Sequence, residues 1–450
     1  MSKKTGHEMD MLHGPLAGRI FLFALPLAIS SILQQLFNSA DVAVVGRFAG
    51  SVALAAVGAN SPVVSLFVGG LTGLATGVNV VIAQLLGRGE AERTEKAVHT
   101  AMCLSVIAGL IIMAVGLLVA GPLLTLIGCP EEVLAPAVLY LRIYLLGLPA
   151  LSVYNFGAAI LRSAGDTTRP TICLVIAGVL NIFLNLLLVI VFHLGVAGVA
   201  IATDISALAS CLMVVHILRK EPSQIRFFIR RLRIDGPTLR RILVMGIPSA
   251  IQGMVFCFSN VCIQSGINSF GTEAIAGSAA ALNFEYFNFY AVTAFNTAAV
   301  TFVGQNYAAG SRRRCKRVYR DCFLEALASL VLMEIVYFAL KTQLLGLFSA
   351  DPAVIEYAMI RMKVVLTLHF LICTYEVTGS VLRGMGHSLL PAVLTTLGSV
   401  VFRVLWILTV FARLQTFEGL MLVYPFSWVL TGTMMLTAYL LVGRPALKEE

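Results

Sequence analysis

The stretch "LQQLFNSADVAVVG", residues 33 to 46, sets a carboxylate, Asp41, inside a run from Ile20 to Val45 that is otherwise apolar enough to cross a bilayer. An ionisable side chain at that depth is costly unless something pairs or hydrates it, so each one is a functional candidate. Gln34, Asn38 and Asp41 fall at i, i+4 and i+7, one stripe that must face protein or water. Further along, "LNIFLN" places Asn181 and Asn185 one turn apart on a shared face, and Thr203 stands beside Asp204. Carboxylate, amide and hydroxyl oxygens suit a small hard cation, and a desolvated aspartate can equally carry a proton. The same groups can also serve as polar glue between helices.

A second set lies in the later half. His369, Glu376 and Arg383 are spaced by seven and share one helical face, and Glu285, Glu334 and Arg403 also fall in apolar runs. Pairing of Glu376 with Arg403 would neutralise both; the alternative is a substrate-binding role. His369 reads as a hydrogen-bonded interior residue or as a proton relay. Phe284, Tyr286, Phe287, Phe289 and Tyr290 surround Glu285 in sequence. Aromatics beside a carboxylate can hold an organic cation, or can form an interfacial belt.

The elements that position these groups follow from composition. Of 450 residues, 58% are hydrophobic and 12% charged, with a mean hydropathy of +0.90, which marks an integral membrane protein. Twelve apolar runs are expected to span: 20–45, 52–84, 98–120, 134–160, 170–192 and 196–217, then 240–265, 277–305, 321–345, 357–382, 389–411 and 417–442. None alternates with the two-residue period of a membrane barrel, so the fold class is all-α. The first eighteen residues are polar without a small-residue cleavage site, and the first span is expected to be its own insertion signal.

The net charge of +9 is not a nucleic-acid footprint, because 25 of the 32 Lys and Arg fall in the two tails and in the segments after even-numbered spans. That distribution follows the positive-inside rule and predicts cytoplasmic termini. Nine cysteines are scattered without a metal or disulfide pattern and read as packing residues.

An internal repeat organises the chain. "AILRSAGDTTRP" (159–170) and "SVLRGMGHSLLP" (380–391) align at a shift of 221, which also pairs Gln84 with Gln305, Gly89 with Gly310, Arg142 with Lys363 and Ser206 with Ser427. One further residue of shift pairs Pro26 with Pro248 and Asn38 with Asn260. The expected domains are a cytoplasmic tail (1–18), a first lobe (19–217), a basic cytoplasmic linker (218–238), a second lobe (239–443) and a short tail (444–450). Because six spans is an even number, the lobes enter the membrane alike, related by a pseudo-two-fold along its normal. Lobes of this kind can rock about a central cavity, which neither a simple channel nor an enzyme requires. Asp41 has no acidic counterpart in the second half, since the shifted positions are Cys262 and Ile263.

Twelve spans in parallel halves, "FNSADVAVVG", the paired "LRSAGD" and "LRGMGH" turns, "FVGQNYAAG" and "GVAGVAIAT" together resemble the multidrug and toxic compound extrusion (MATE) transporters over nearly the whole chain. The resemblance implies an antiporter that expels cationic amphipathic organic compounds as Na+ or H+ enters. It implies a cation site, open to Na+, at Asp41 with Asn181 and Thr203. Many prokaryotic members carry an acid where Asn185 stands here, and others a Glu in the seventh span, where "GMVFCFSNVCIQSG" has none. Asp204 is the expected second carboxylate. The expected substrate cavity is lined by Gln34, Asn38, Asn260, Gln264, Glu285, Phe289, His369 and Glu376. No cofactor beyond the coupling ion and no nucleic acid is expected, and the protein is read as a monomer among cell-membrane lipids. The rival within the same superfamily is a flippase of lipid-linked saccharides, whose cavity would carry more Arg and Lys. An enzyme would need a nucleophile or metal constellation, and no HExxH or GxSxG occurs.

Overall fold

The structure, a computed structural model, describes residues 9–349 and 351–448; the ends of both expected tails lie outside them. Without water to satisfy backbone groups, apolar segments must bond internally, and the described residues are helical with no strands. Helices at Ala17–Phe48, Ser51–Arg88, Ala91–Leu126, Thr168–Val191, Gly195–Lys220, Gly236–Asn268, Arg312–Ala339, Pro352–Gly384, Leu389–Leu414 and Phe417–Ala446 are each long and apolar enough to cross a membrane. Two more complete the expected twelve. The fourth is a pair, Glu131–Leu146 and Leu148–Ser163, bent by 46°. The eighth, Thr272–Ala308, has 37 residues but is diluted by Asn283, Glu285, Asn288 and Asn296. Side chains such as Leu118, Leu126 and Leu347, each at least 80% exposed, form a surface suited to lipid.

The bend in the fourth span has a local cause. Pro149 offers no N–H to the carbonyl one turn back, and Gly147 beside it imposes no side chain. The fifth span widens into a π-helix at Leu186–Val191 directly after Asn185, and the eleventh does so at Thr396–Val401 and Ile407–Phe411. A shift of 221 carries residue 186 onto 407, so the repeat extends to this irregularity.

The chain forms two compact units. The first holds residues 9–10 and Ile29–Ala250; the second holds Met11–Ala28 and everything from Ile251 onward. The first span therefore begins in the second unit, and the seventh begins in the first. Each changes unit within three residues of its internal proline, Pro26 or Pro248. In the first unit, Gly73 and Gly77 bring the second span to backbone distance of the seventh: a Cβ on Gly77 would lie 2.6 Å from the Gly246 nitrogen and the Ile242 carbonyl oxygen. Small residues one turn apart are how helices approach where lipid offers no hydrophobic drive. In the second unit, Phe23 packs edge-on against Phe302 at 5.5 Å, and Arg314 donates to the carbonyls of Met11 and Gly14 at 3.1 and 2.9 Å.

The basic stretch after the sixth span is tied down within the first unit. Phe228 N–H donates to His99 Nε2 at 3.1 Å, and Arg231 pairs with Glu95 at 2.9 Å. Thr238 donates its hydroxyl and N–H to Asp235, at 2.6 and 3.0 Å, and these bonds hold the Asp235 carboxyl below the usual carboxylate range.

Candidate functional site

In the first unit, the first, fifth and sixth spans bring four of the expected residues into one hydrogen-bonded chain. The Asn185 amide donates to both Asp41 and, at 3.3 Å, Asn181 Oδ1; Asn181 in turn donates to Thr203 Oγ1 at 3.4 Å, and Thr203 to the Val199 carbonyl at 3.0 Å. Both amide hydrogens of Asn185 are thus spent. Its Oδ1 is buried and has no partner. A buried acceptor without a donor is unfavourable on its own, by roughly 1–3 kcal/mol. Beside a carboxylate and a hydroxyl it completes a set of oxygens that fits a small hard cation, or a protonated group in its place. No Lys or Arg pairs with Asp41 or Asp204 among the described residues.

Asp204 does not join that chain. It points to the bend of the fourth span, where an added Cβ on Gly147 would sit 2.2 Å from its Oδ1. Tyr140 lies within electrostatic reach of both carboxylates. Tyr140 and Gly147 were not among the expected residues, and the "LLGLP" break was the only trace of their role in the sequence. Gln34 and Asn38 share the stripe of Asp41 but are exposed and outside the network.

In the second unit one expected pairing, Glu376 with Arg403, is not formed. Arg361 takes both oxygens of Glu285, at 2.6 and 3.0 Å, and donates to Ser278 Oγ at 2.5 Å. Glu285 is therefore a neutralised buried ion pair, and not a free carboxylate among aromatics. Glu376 does not pair with Arg403; it accepts from Asn296 at 2.8 Å, because the rotation of the eighth and tenth spans aims it there. Arg383 donates to Gln252 at 2.7 Å. His369 accepts from Asn288 at 3.1 Å and packs against Trp428, an interior residue. Glu334 is buried with one oxygen lacking a partner. Asn260, Gln264 and Phe289 are exposed; Gln264 donates to Asn268 at 2.9 Å. Arg361 was visible in the sequence only as one of seven basic residues outside the cytoplasmic segments.

The chain matches the family model described as MatE twice, over residues 26–187 and 248–408, which places the same model on each half at shifts of 222 and 221. It is 27% identical over 382 residues to a probable multidrug resistance protein, YoeA, of Bacillus subtilis, covering 83% of this chain and 82% of that one. It is 26% identical over 439 residues to a FAD transporter of Shewanella oneidensis, covering 94% of each. An outward-facing multidrug resistance MATE transporter structure superposes with a TM-score of 0.90 at 22% identity, covering 99% of both chains.

Proposed function

The chain belongs to the MatE family of multi-pass membrane transporters, and from that membership we propose that it is a secondary active exporter of cationic amphipathic organic compounds, driven by inward flow of Na+ or H+ at Asp41. The observation that carries this reading is an intramembrane carboxylate with no basic partner, hydrogen-bonded to an asparagine whose own oxygen is buried and unsatisfied. A structural aspartate would be expected to end on a cation or on a full set of donors.

The cycle is one of competition. A cation enters at Asp41 from outside, the helices that carry Asn181, Asn185 and Thr203 tighten on it, and cargo is released outward. The loaded protein then opens to the cytoplasm, discharges the ion and takes up cargo. Lobes 19–217 and 239–443 alternate, and the helices shared between units flex at Pro26 and Pro248. Asp204, held against Gly147 at the bend of the fourth span, supplies the second carboxylate. The protein works as a monomer in the cell membrane with both termini cytoplasmic, which the distribution of basic residues supports.

Competition gives a direct test. Ethidium bound to the purified protein should be displaced by Na+ or by acidification in the wild type and by neither in Asp41→Asn. Displacement that persists in the variant would move the ion site elsewhere. The FAD transporter relative supports a second reading, export of an anionic cofactor; flavin dinucleotide in place of ethidium would then be the displaced ligand.

A further inference from the structure

The second unit contains a buried basic centre that no partner neutralises. Arg403, 1% exposed, lies between the rings of Tyr424 and Phe256 at 4.8 and 5.3 Å, and its Nε donates to Ser427 at 3.2 Å. Its Nη1 has no partner. No ion pair reaches Arg403 among the described residues: Glu285 acts on it electrostatically, but both of its oxygens are held by Arg361, and Glu376 is held by Asn296. His369 meets the Asn288 amide at Nδ1 and adds no negative charge. One glutamate against two arginines leaves a single positive charge, and an uncompensated buried charge is strongly unfavourable unless an anion joins it.

The repeat shows where this centre stands. A shift of 221 carries Tyr140 onto Arg361, Thr203 onto Tyr424 and Ile182 onto Arg403. Of the hydrogen-bonded residues of the acidic site, Thr203 maps onto this centre at Tyr424, and Arg403 follows directly on the counterpart of Asn181. Arg403 sits on a single α turn, Phe402–Trp406, flanked on both sides by π-helix. Such wide turns recur at functional sites because they leave backbone groups free to rearrange.

Resting on the reading of the protein as an exporter, we infer that Arg403 is a binding residue for an anionic group, carboxylate or phosphate, carried by the cargo. The substrates are then zwitterionic amphiphiles as well as plain cations. A lipid headgroup does not fit, because Arg403 lies near the middle of its span, more than about 15 Å from either end, whereas headgroups stay at the interface.

The test uses a free-acid rhodamine and its methyl ester, two dyes with one cationic body that differ in a single carboxylate. Purified wild-type protein should bind the acid about tenfold or more tightly than the ester, the scale of a charge-assisted hydrogen bond. Arg403→Met should erase that advantage with an unchanged or higher melting temperature, since it removes an unpaired buried charge. No advantage of the acid in the wild type, or an advantage that survives in Arg403→Met, would overturn the inference. So would a fall in melting temperature in the variant, which would show that the charge is already compensated by the fold. Gradient-driven efflux of the ester separates the two levels: export of the ester without preference for the acid defeats the subsite alone, while failure to export either dye defeats the exporter reading.

Discussion

An alanine at position 147 would set its Cβ 2.2 Å from Asp204 Oδ1, so Gly147→Ala must displace the carboxylate or the bend that carries it. We expect a loss of about 1–3 kcal/mol, the usual cost of overpacking, read as a lower melting temperature. Asp204→Ala in the same chain should recover most of it, and additive losses in the double variant would refute the contact. Glu285 and Asp41 should behave in opposite ways. Glu285→Gln strands the 1%-exposed Arg361 and should cost about 3–5 kcal/mol, whereas Asp41→Asn should leave the melting temperature unchanged or raised. Equal effects of the two substitutions would contradict the distinction between a structural ion pair and a working carboxylate. At this scale the sequence was legible where cost is intrinsic to a residue. Asp41 in an apolar run announces itself, and the spacing of Asn181 and Asn185 puts them on one face. Partners were not legible: Glu285 and Arg361 are separated by 76 positions, and nothing in either run gives the helix rotation that joins them while turning Glu376 away from Arg403.

Among elements, twelve spans could be read from hydropathy because a bilayer demands long apolar helices, and the repeat at 221 residues survives into the π-helical turns after Asn185 and Trp406. The bend at Gly147 and the exchange of helical ends between units could not be read, since both depend on contacts made far along the chain. Those contacts carry a prediction. Gly77→Val would drive a side chain into the backbone of the seventh span, with nothing flexible to yield, and should abolish folded protein in a detergent-stability assay. Gly121→Ala, whose Cβ meets nothing within 4 Å, should be neutral or mildly stabilising. A folded, active Gly77→Val would show that the second and seventh spans do not need backbone contact.

For the whole molecule, the same family model on both halves describes a duplicated scaffold. We propose that energy coupling depends on the acidic site of the first unit, Asp41 bonded to Asn185. The most direct measurement is ethidium efflux from loaded vesicles that hold purified wild-type or Asp41→Asn protein, driven by a Na+ gradient in one experiment and a pH gradient in the other. The account predicts that one gradient drives export by the wild type and that Asp41→Asn exports under neither. Gradient-driven export by Asp41→Asn at the wild-type rate would contradict it.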